Sequence, residues 1–293
     1  SMRDAGWIQL YAETNQEALD LHIQSFRLAE ELSVPVMVCV DGFILTHAVE
    51  RVDVPSQKEV DAFVPRFEPR QVLDPAQPIS IGAMVGPEAY TEVRYLAHYK
   101  QMQALWLIPE LSEECQERFG REAGGLVRTY RAQEADTLVV ALGSVNGTIK
   151  DVVDELIDEG VSIGSVSMCS FRPFPMRALR EATSHAKRVV VIEKSLAVGI
   201  GGIVSTNVRM AMAGAPIPVH AVIAGLGGRA ITKESLRQLF RKACKGALSH
   251  VTFLDLNHDV VHGEIERLET HRRSGPTAEN ILRDLGSVAD HIG

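Results

Sequence analysis

The stretch DTLVVALGSVNGTIKDVVDELIDEG, residues 136–160, decides how the rest of the chain is read. A Val-rich apolar run gives way to a turn holding Gly143 and Gly147, then to Ile149, Val152, Val153, Leu156 and Ile157 at helical spacing. The spacing of Thr148 and Asp151 fits a capping box, and Gly160 fits the end of the same helix. The pattern recurs downstream. Short apolar runs predict further strands at 161–169, 188–193 and 219–225, separated by amphipathic segments. Strands buried on both faces, alternating with helices, imply right-handed βαβ units around a parallel sheet. Three of the strand ends lead into glycine clusters, at 143–148, 199–202 and 225–229. Beyond the carboxyl ends of parallel strands is where ligands or partners meet such a sheet.

Working outward from this repeat, residues 7–13 alternate like a strand, and Thr14 with Glu17 fits a capping box for a helix running to about residue 31. Residues 34–40 form a continuous apolar run, the pattern of a strand inside a parallel sheet. Two strands and one helix cannot cover both faces of such a sheet, so the rest of this first domain is expected to be either missing or supplied by another chain. Prolines 55, 65, 69, 75 and 78 break the connector that follows, with one short helix capped by Ser56 and Glu59. The segment 86–120 reads as helical with an interruption at Pro109. Phe171-Arg172-Pro173-Phe174-Pro175 reads as a rigid turn, Thr232 as a helix cap, and 251–256 as another strand. The tail after Asn257 is charged and carries His258, His262 and His271. This divides the chain into 1–50, 51–135, 136–256 and 257–293.

Composition narrows the function classes. The chain has 293 residues, 45% hydrophobic and 23% charged, enough for two domains of ordinary size. A net charge of −8 and 5% aromatics disfavour a nucleic-acid scaffold, which needs clustered cations or stacking platforms. Cys39, Cys115, Cys169 and Cys244 show no C-x-x-C spacing, so neither a zinc nor an iron–sulfur site is expected, and reduced core cysteines are. No apolar run approaches the ~20 residues of a membrane helix. No nucleophile elbow, P-loop or H-E-x-x-H motif occurs. The candidate site-lining or interface residues are therefore Asp41 and His47 beyond the second strand, and Gly227, Gly228 and Arg229 beyond the last. Arg229 could clamp a carboxylate or phosphate, or pair with a partner subunit. The Gly199–Gly202 cluster lacks the G-x-G-x-x-G spacing and reads as a tight turn.

The run Arg3-Asp4-Ala5-Gly6-Trp7-Ile8-Gln9-Leu10-Tyr11 resembles the alpha component of pyruvate:ferredoxin oxidoreductase and its 2-oxoacid relatives. So do the stretch from Val34 to Phe43 with Thr46-His47, then Leu73-Asp74-Pro75, Tyr90-Thr91-Glu92, Ala141-Leu142-Gly143-Ser144, the turn 171–175 and the cluster 225–229, in the same order. The resemblance implies the trailing part of a thiamine-pyrimidine-type domain over 1–50 and a transketolase C-terminal-like α/β domain over 136–256. It implies oxidative decarboxylation of a 2-oxoacid to an acyl-coenzyme A, with electrons passed to ferredoxin. Thiamine diphosphate with magnesium would act in the full complex, iron–sulfur clusters would lie on partner components, and no cofactor is expected on this chain alone. The family's pyrimidine-contacting Glu lies upstream of the Arg3–Trp7 motif, so no catalytic residue carries over and the chain alone is expected to be inactive. Expected partners are the beta, gamma and delta components and a second copy of this chain, in the cytoplasm, with no nucleic acid and no membrane. Two alternatives stand: a non-catalytic assembly module on the same fold, and a relative specific for 2-oxoglutarate or a branched-chain oxoacid.

Overall fold

Runs of Val, Ile and Leu build the centre of the fold. The computed structural model describes residues 2–69, 71–79, 82, 84–270 and 275–286, and divides into two units, 1–252 and 253–293. His271 lies outside the described residues. The first unit runs β1 (Ile8–Tyr11), α1 (Asn15–Leu32), β2 (Val36–Cys39), α2 (Ile44–His47), α3 (Gln57–Phe63), α4 (Tyr90–Phe119), β3 (Val127–Tyr130), β4 (Thr137–Leu142), α5 (Val145–Asp158), β5 (Ile163–Met168), β6 (Ser170–Arg172), α6 (Met176–Thr183), β7 (Arg188–Glu193), α7 (Ile203–Ala211), β8 (Val219–Ile223), α8 (Lys233–Cys244) and β9 (Val251–Phe253), the last at the boundary. The second unit holds α9 (His258–Thr270) and α10 (Thr277–Asp284).

The larger sheet has the order β3-β5-β4-β7-β8-β9. β4 pairs in parallel with β5 and β7, and β7 with β8, whereas β3 lies antiparallel on β5. Leu138, Val139, Val140, Val189, Val190 and Val191 are fully buried, because helices cover both faces. The helices α5 and α8 pack together, as do α6 and α7. Ile149, Val152, Val153 and Leu156 of α5 and Leu236, Leu239, Phe240 and Ala243 of α8 face inward, as the helical period requires. Each fully buried side chain of Val, Leu, Ile or Phe stabilises by roughly 1.5–3 kcal/mol.

The smaller sheet has the order β2-β1-β6. β2 runs parallel to β1, and β6 completes the other side antiparallel. A second core forms where Ile8, Leu10, Leu21 and Leu28 meet Phe63, Ala104, Ile108 and Leu111 of α3 and α4. The expectation that the rest of this sheet is missing or lies on another chain is corrected: its third strand and second covering helix come from distant parts of the same chain, too far apart in sequence for local pattern to show.

Four local expectations are corrected by tertiary context. β2 is an edge strand, half-buried along its length, and not the interior strand its apolar run suggests. Helix α4 continues through Pro109 without a break. The packing of Ala104, Ile108, Leu111 and Cys115 on both sides of Pro109 offsets the ~3 kcal/mol a helix-interior proline costs. Helix α5 starts at Val145, with Ser144 at its N-cap, so Thr148 is not its cap. Thr14 does accept from the Glu17 N–H, but the Glu17 carboxylate turns to Glu13 N, Gly124 N and Arg128.

Candidate functional site

Chain segments leaving β2, β4, β7 and β8 converge at one edge of the sheets. The segment after β2 delivers Asp41, whose Oδ2 accepts from the Ser144 N–H at the start of α5 at 2.5 Å. Its Oδ1 accepts from Lys194 Nζ, just beyond β7, at 3.2 Å. Beyond β8, Gly225, Gly227 and Gly228 sit at φ 67°, 67° and 84°, a left-handed run that only glycine adopts without strain. Together these segments line a cleft of about 400 Å³ that includes Asp41, Phe43, Ser144, Lys194, Gly228 and Arg229. A neighbouring cleft of about 360 Å³ shares Asp41 and Lys194 and adds Gln9, Tyr11, Glu193 and Ser195. Burial, reinforced by Cys39 and Asp41 nearby, pushes the Tyr11 phenol up to about 12, so it stays protonated at neutral pH.

Of the five candidates, the structure brings Asp41, Gly228 and Arg229 into one cleft, with Gly227 in the same glycine turn. His47 lines neither cleft. It is exposed, stacks on Phe43 with ring centroids 5.0 Å apart, and pairs with Thr46 Oγ1 at 3.0 Å. Sequence reasoning missed Lys194 and Glu193. Both stand at the carboxyl end of a predicted strand, and that position was signal enough.

The electrostatics of this edge are settled internally. A helix N-terminus carries unpaired N–H groups and about half a positive charge. On α5 the Asp41 carboxylate meets that charge. On α7 the Glu193 carboxylate does so, accepting from Val204 N at 2.7 Å, Ser205 N at 3.0 Å and Ser195 Oγ at 3.0 Å while only 3% exposed. Two helix ends that could bind a phosphate already hold carboxylates of the chain. The rim around them is apolar and solvated: Phe43, Ile44, Val198, Ile200 and Leu226 are all exposed, Val198 by 91%.

A further cleft of about 370 Å³ is lined by Glu13, Glu17, Asp20, Arg121, Arg128 and Lys150. Its charges answer one another. Arg128 spans Glu17 and Glu13, Lys150 bonds Glu13, and Arg121 holds Asp20 through two nitrogens. This is a brace between α1, β3 and α5. Among the described residues no group of three or more His, Cys, Asp or Glu side chains is placed to hold a metal ion, and no helix is long and apolar enough to cross a membrane.

Comparison with known proteins gives two family matches. Residues 1–112 match "Pyruvate flavodoxin/ferredoxin oxidoreductase, thiamine diP-bdg", and residues 135–236 match "Pyruvate:ferredoxin oxidoreductase core domain II". The chain is 41% identical over 242 residues to pyruvate synthase subunit PorA of Methanothermobacter thermautotrophicus, covering 82% of this chain and 62% of that protein. It is 38% identical over 270 residues to the PorA subunit of Methanosarcina barkeri, covering 89% of this chain and 67% of that protein. The chain therefore spans about three fifths to two thirds of the length of these relatives. In fold it is similar to a 2-oxoglutarate:ferredoxin oxidoreductase from Magnetococcus marinus, with a TM-score of 0.56 at 17% identity over 81% of this chain and 42% of that one.

Proposed function

The chain belongs to the pyruvate:ferredoxin oxidoreductase family, and on that premise we propose that it serves as an alpha-component scaffold in a 2-oxoacid:ferredoxin oxidoreductase, inactive until joined by other components. The whole enzyme would decarboxylate pyruvate oxidatively, pass the acyl group to coenzyme A and reduce ferredoxin in the cytoplasm. Residues 1–50 would contribute to the thiamine-binding domain, 51–135 would connect it, 136–256 would form the partner-facing α/β domain, and 257–293 would be an appended tail. The observation that carries this reading is the carboxylate-plugged, apolar-rimmed sheet edge formed by Asp41, Lys194 and Glu193.

One family match is to a thiamine diphosphate-binding family. The group asks for a carboxylate at its pyrimidine nitrogen and for anion-binding donors at its diphosphate. The residues of this edge do not fit it. Asp41 is committed to the Ser144 N–H at the start of α5, and Glu193 to the Val204 and Ser205 N–H groups of α7. Thiamine diphosphate with magnesium, and the iron–sulfur clusters, are assigned to other parts of the complex.

The test is reconstitution with the cluster-bearing component. The isolated chain, given thiamine diphosphate, coenzyme A and pyruvate, should reduce no ferredoxin; turnover by the chain alone would overturn the reading. Phe43→Asp and Ile200→Asp place charges on the apolar rim. Each should weaken component binding by roughly 100-fold in a titration while leaving Tm within about 1 °C, because both side chains are solvated in this unit. Unchanged binding in both variants would remove the edge from the interface.

A further inference from the structure

The run His258-Asp259-Val260-Val261-His262 opens helix α9, in the tail whose histidines the proposed function leaves unused. Asn257 Oδ1 accepts from the Val260 N–H at 3.2 Å, so the first turn is capped where this pair stands. Residues four apart share one face of a helix, with Cβ atoms ~5–6 Å apart. Here that face is the outer one. His258, His262, Glu266 and Glu269 are exposed, whereas Val260 and Val261 are half-buried and Glu264 is buried. At ~100° per residue Arg267 falls on the side opposite His258. It pairs there with Glu264 and Asp284.

We propose that His258 and His262 together chelate a divalent transition-metal ion of the zinc class. Their imidazole rings stand with centroids 6.1 Å apart and planes inclined at 50°. A zinc–nitrogen bond is ~2.0–2.1 Å, so two imidazoles on one tetrahedral ion hold their centroids roughly 5.2 Å apart. Closing the remaining ~1 Å takes only small χ rotations of two solvated side chains. Four-residue spacing on a helix is also the spacing by which paired histidines reach a single zinc ion. Imidazole suits zinc, nickel and copper, whereas magnesium and calcium seek oxygen ligands. Glu266 and Glu269 put two negative charges on the same face, which favours a cation there. Among the described residues no third His, Cys, Asp or Glu joins the pair. Two imidazoles therefore hold the ion, and water or an incoming ligand completes its shell. The inference stands on α9 alone and does not depend on the role proposed above.

Calorimetric titration of the full chain with zinc chloride tests it. Wild type should bind zinc at this pair, and His258→Ala or His262→Ala should each weaken that binding by roughly 10-fold or more, because the second bond is then no longer intramolecular. Both side chains are exposed, so far-UV circular dichroism should be unchanged. His262→Ala/Gly263→His restores the number of histidines but turns the second imidazole ~100° around the helix, out of reach of the first. A Cβ at 263 meets nothing within 4 Å, so the helix has room for it. Binding in this variant should stay as weak as in His262→Ala. With copper(II) as the probe, electron paramagnetic resonance should show coupling to two imidazole nitrogens in wild type and to one in either alanine variant. A wild-type chain that takes up no zinc at about 0.2 mM overturns the proposal. So does wild-type affinity in both alanine variants, or in the variant that moves the histidine to 263.

Discussion

Replacing Arg128 with Met is expected to lower stability by about 3–5 kcal/mol, the range for removing one partner from a buried ion pair. Arg128 reaches Glu17 Oε1 at 2.5 Å and Oε2 at 3.0 Å, and Glu13 Oε1 at 3.0 Å. The side chains are 18%, 6% and 10% exposed, so little water can replace the guanidinium. Without it, two carboxylates share one nearby cation, Lys150, and backbone donors from Glu13 and Gly124. A thermal melt should show Tm reduced by roughly 6–20 °C, at ~2–4 °C per kcal/mol for a unit of this size. The paired variant Glu17→Gln/Arg128→Met should recover part of the loss, because the stranded charge goes with the cation. If Arg128→Met melts within about 2 °C of wild type, the brace between α1, β3 and α5 is not what holds the two sheets together.

The same cluster sets an acid limit. Burial pushes the Glu13 carboxyl up, but Arg128 and Lys150 outweigh it and hold the group below its ordinary range. The unfolded chain therefore binds this proton more readily than the folded one. Stability from Glu13 is complete above the ordinary carboxylate pKa of ~4.3 and is lost as pH falls through the lower folded value. Tm should be flat in Glu13's contribution above about pH 5.5 and decline below about pH 5. Glu13→Gln should lower Tm at neutral pH and flatten that decline. A Glu13→Gln chain that keeps the wild-type acid slope would assign the slope to other carboxylates.

The repeat at 136–243 was legible in the sequence because its signals are local. Val-rich runs, helical spacing and glycine punctuation each act within a few residues, and β4, α5, β5, β7, α7, β8 and α8 follow from them. The misses are non-local. β3 and β6 are short strands whose partners, β5 and β1, are distant in sequence or reached by a reversal of direction. Nothing in Val127–Tyr130 or Ser170–Arg172 announces that pairing. Likewise α5 starts at the Ser144 N-cap, whose N–H is held by Asp41, 103 residues upstream, so local spacing pointed to Thr148 instead. At the candidate site the glycine turns and Asp41 were visible as residue types in strand-end positions. Their engagement by Lys194 and by helix N–H groups depends on how four segments meet, which only the fold supplies.

Two glycine substitutions of identical chemistry should move stability in opposite directions. Gly147 lies within α5, and an added Cβ there meets nothing within 4 Å. Gly147→Ala should stabilise by roughly 0.5–1 kcal/mol, through lower unfolded-state entropy and better helix propensity. Gly202 precedes α7 at φ −73° and ψ 142°, a conformation open to any residue, so its requirement is space and not backbone freedom. A Cβ at 202 would collide with the Glu193 carboxylate and Ser205 Oγ. Relief requires Glu193 to leave the Val204 and Ser205 N–H groups, which stay buried and lose their acceptor. Charge-assisted bonds of this kind contribute ~1.5–3 kcal/mol each, so Gly202→Ala should cost about 2–4 kcal/mol after partial relaxation. Glu193→Ala should cost a similar amount by orphaning the same donors. In the double variant the collision no longer exists, and the combined loss should fall short of the sum by at least about 1 kcal/mol. Strict additivity in that cycle would show that Gly202 is not kept small for Glu193, and the account of α7's N-terminus as a plugged anion site would fail with it.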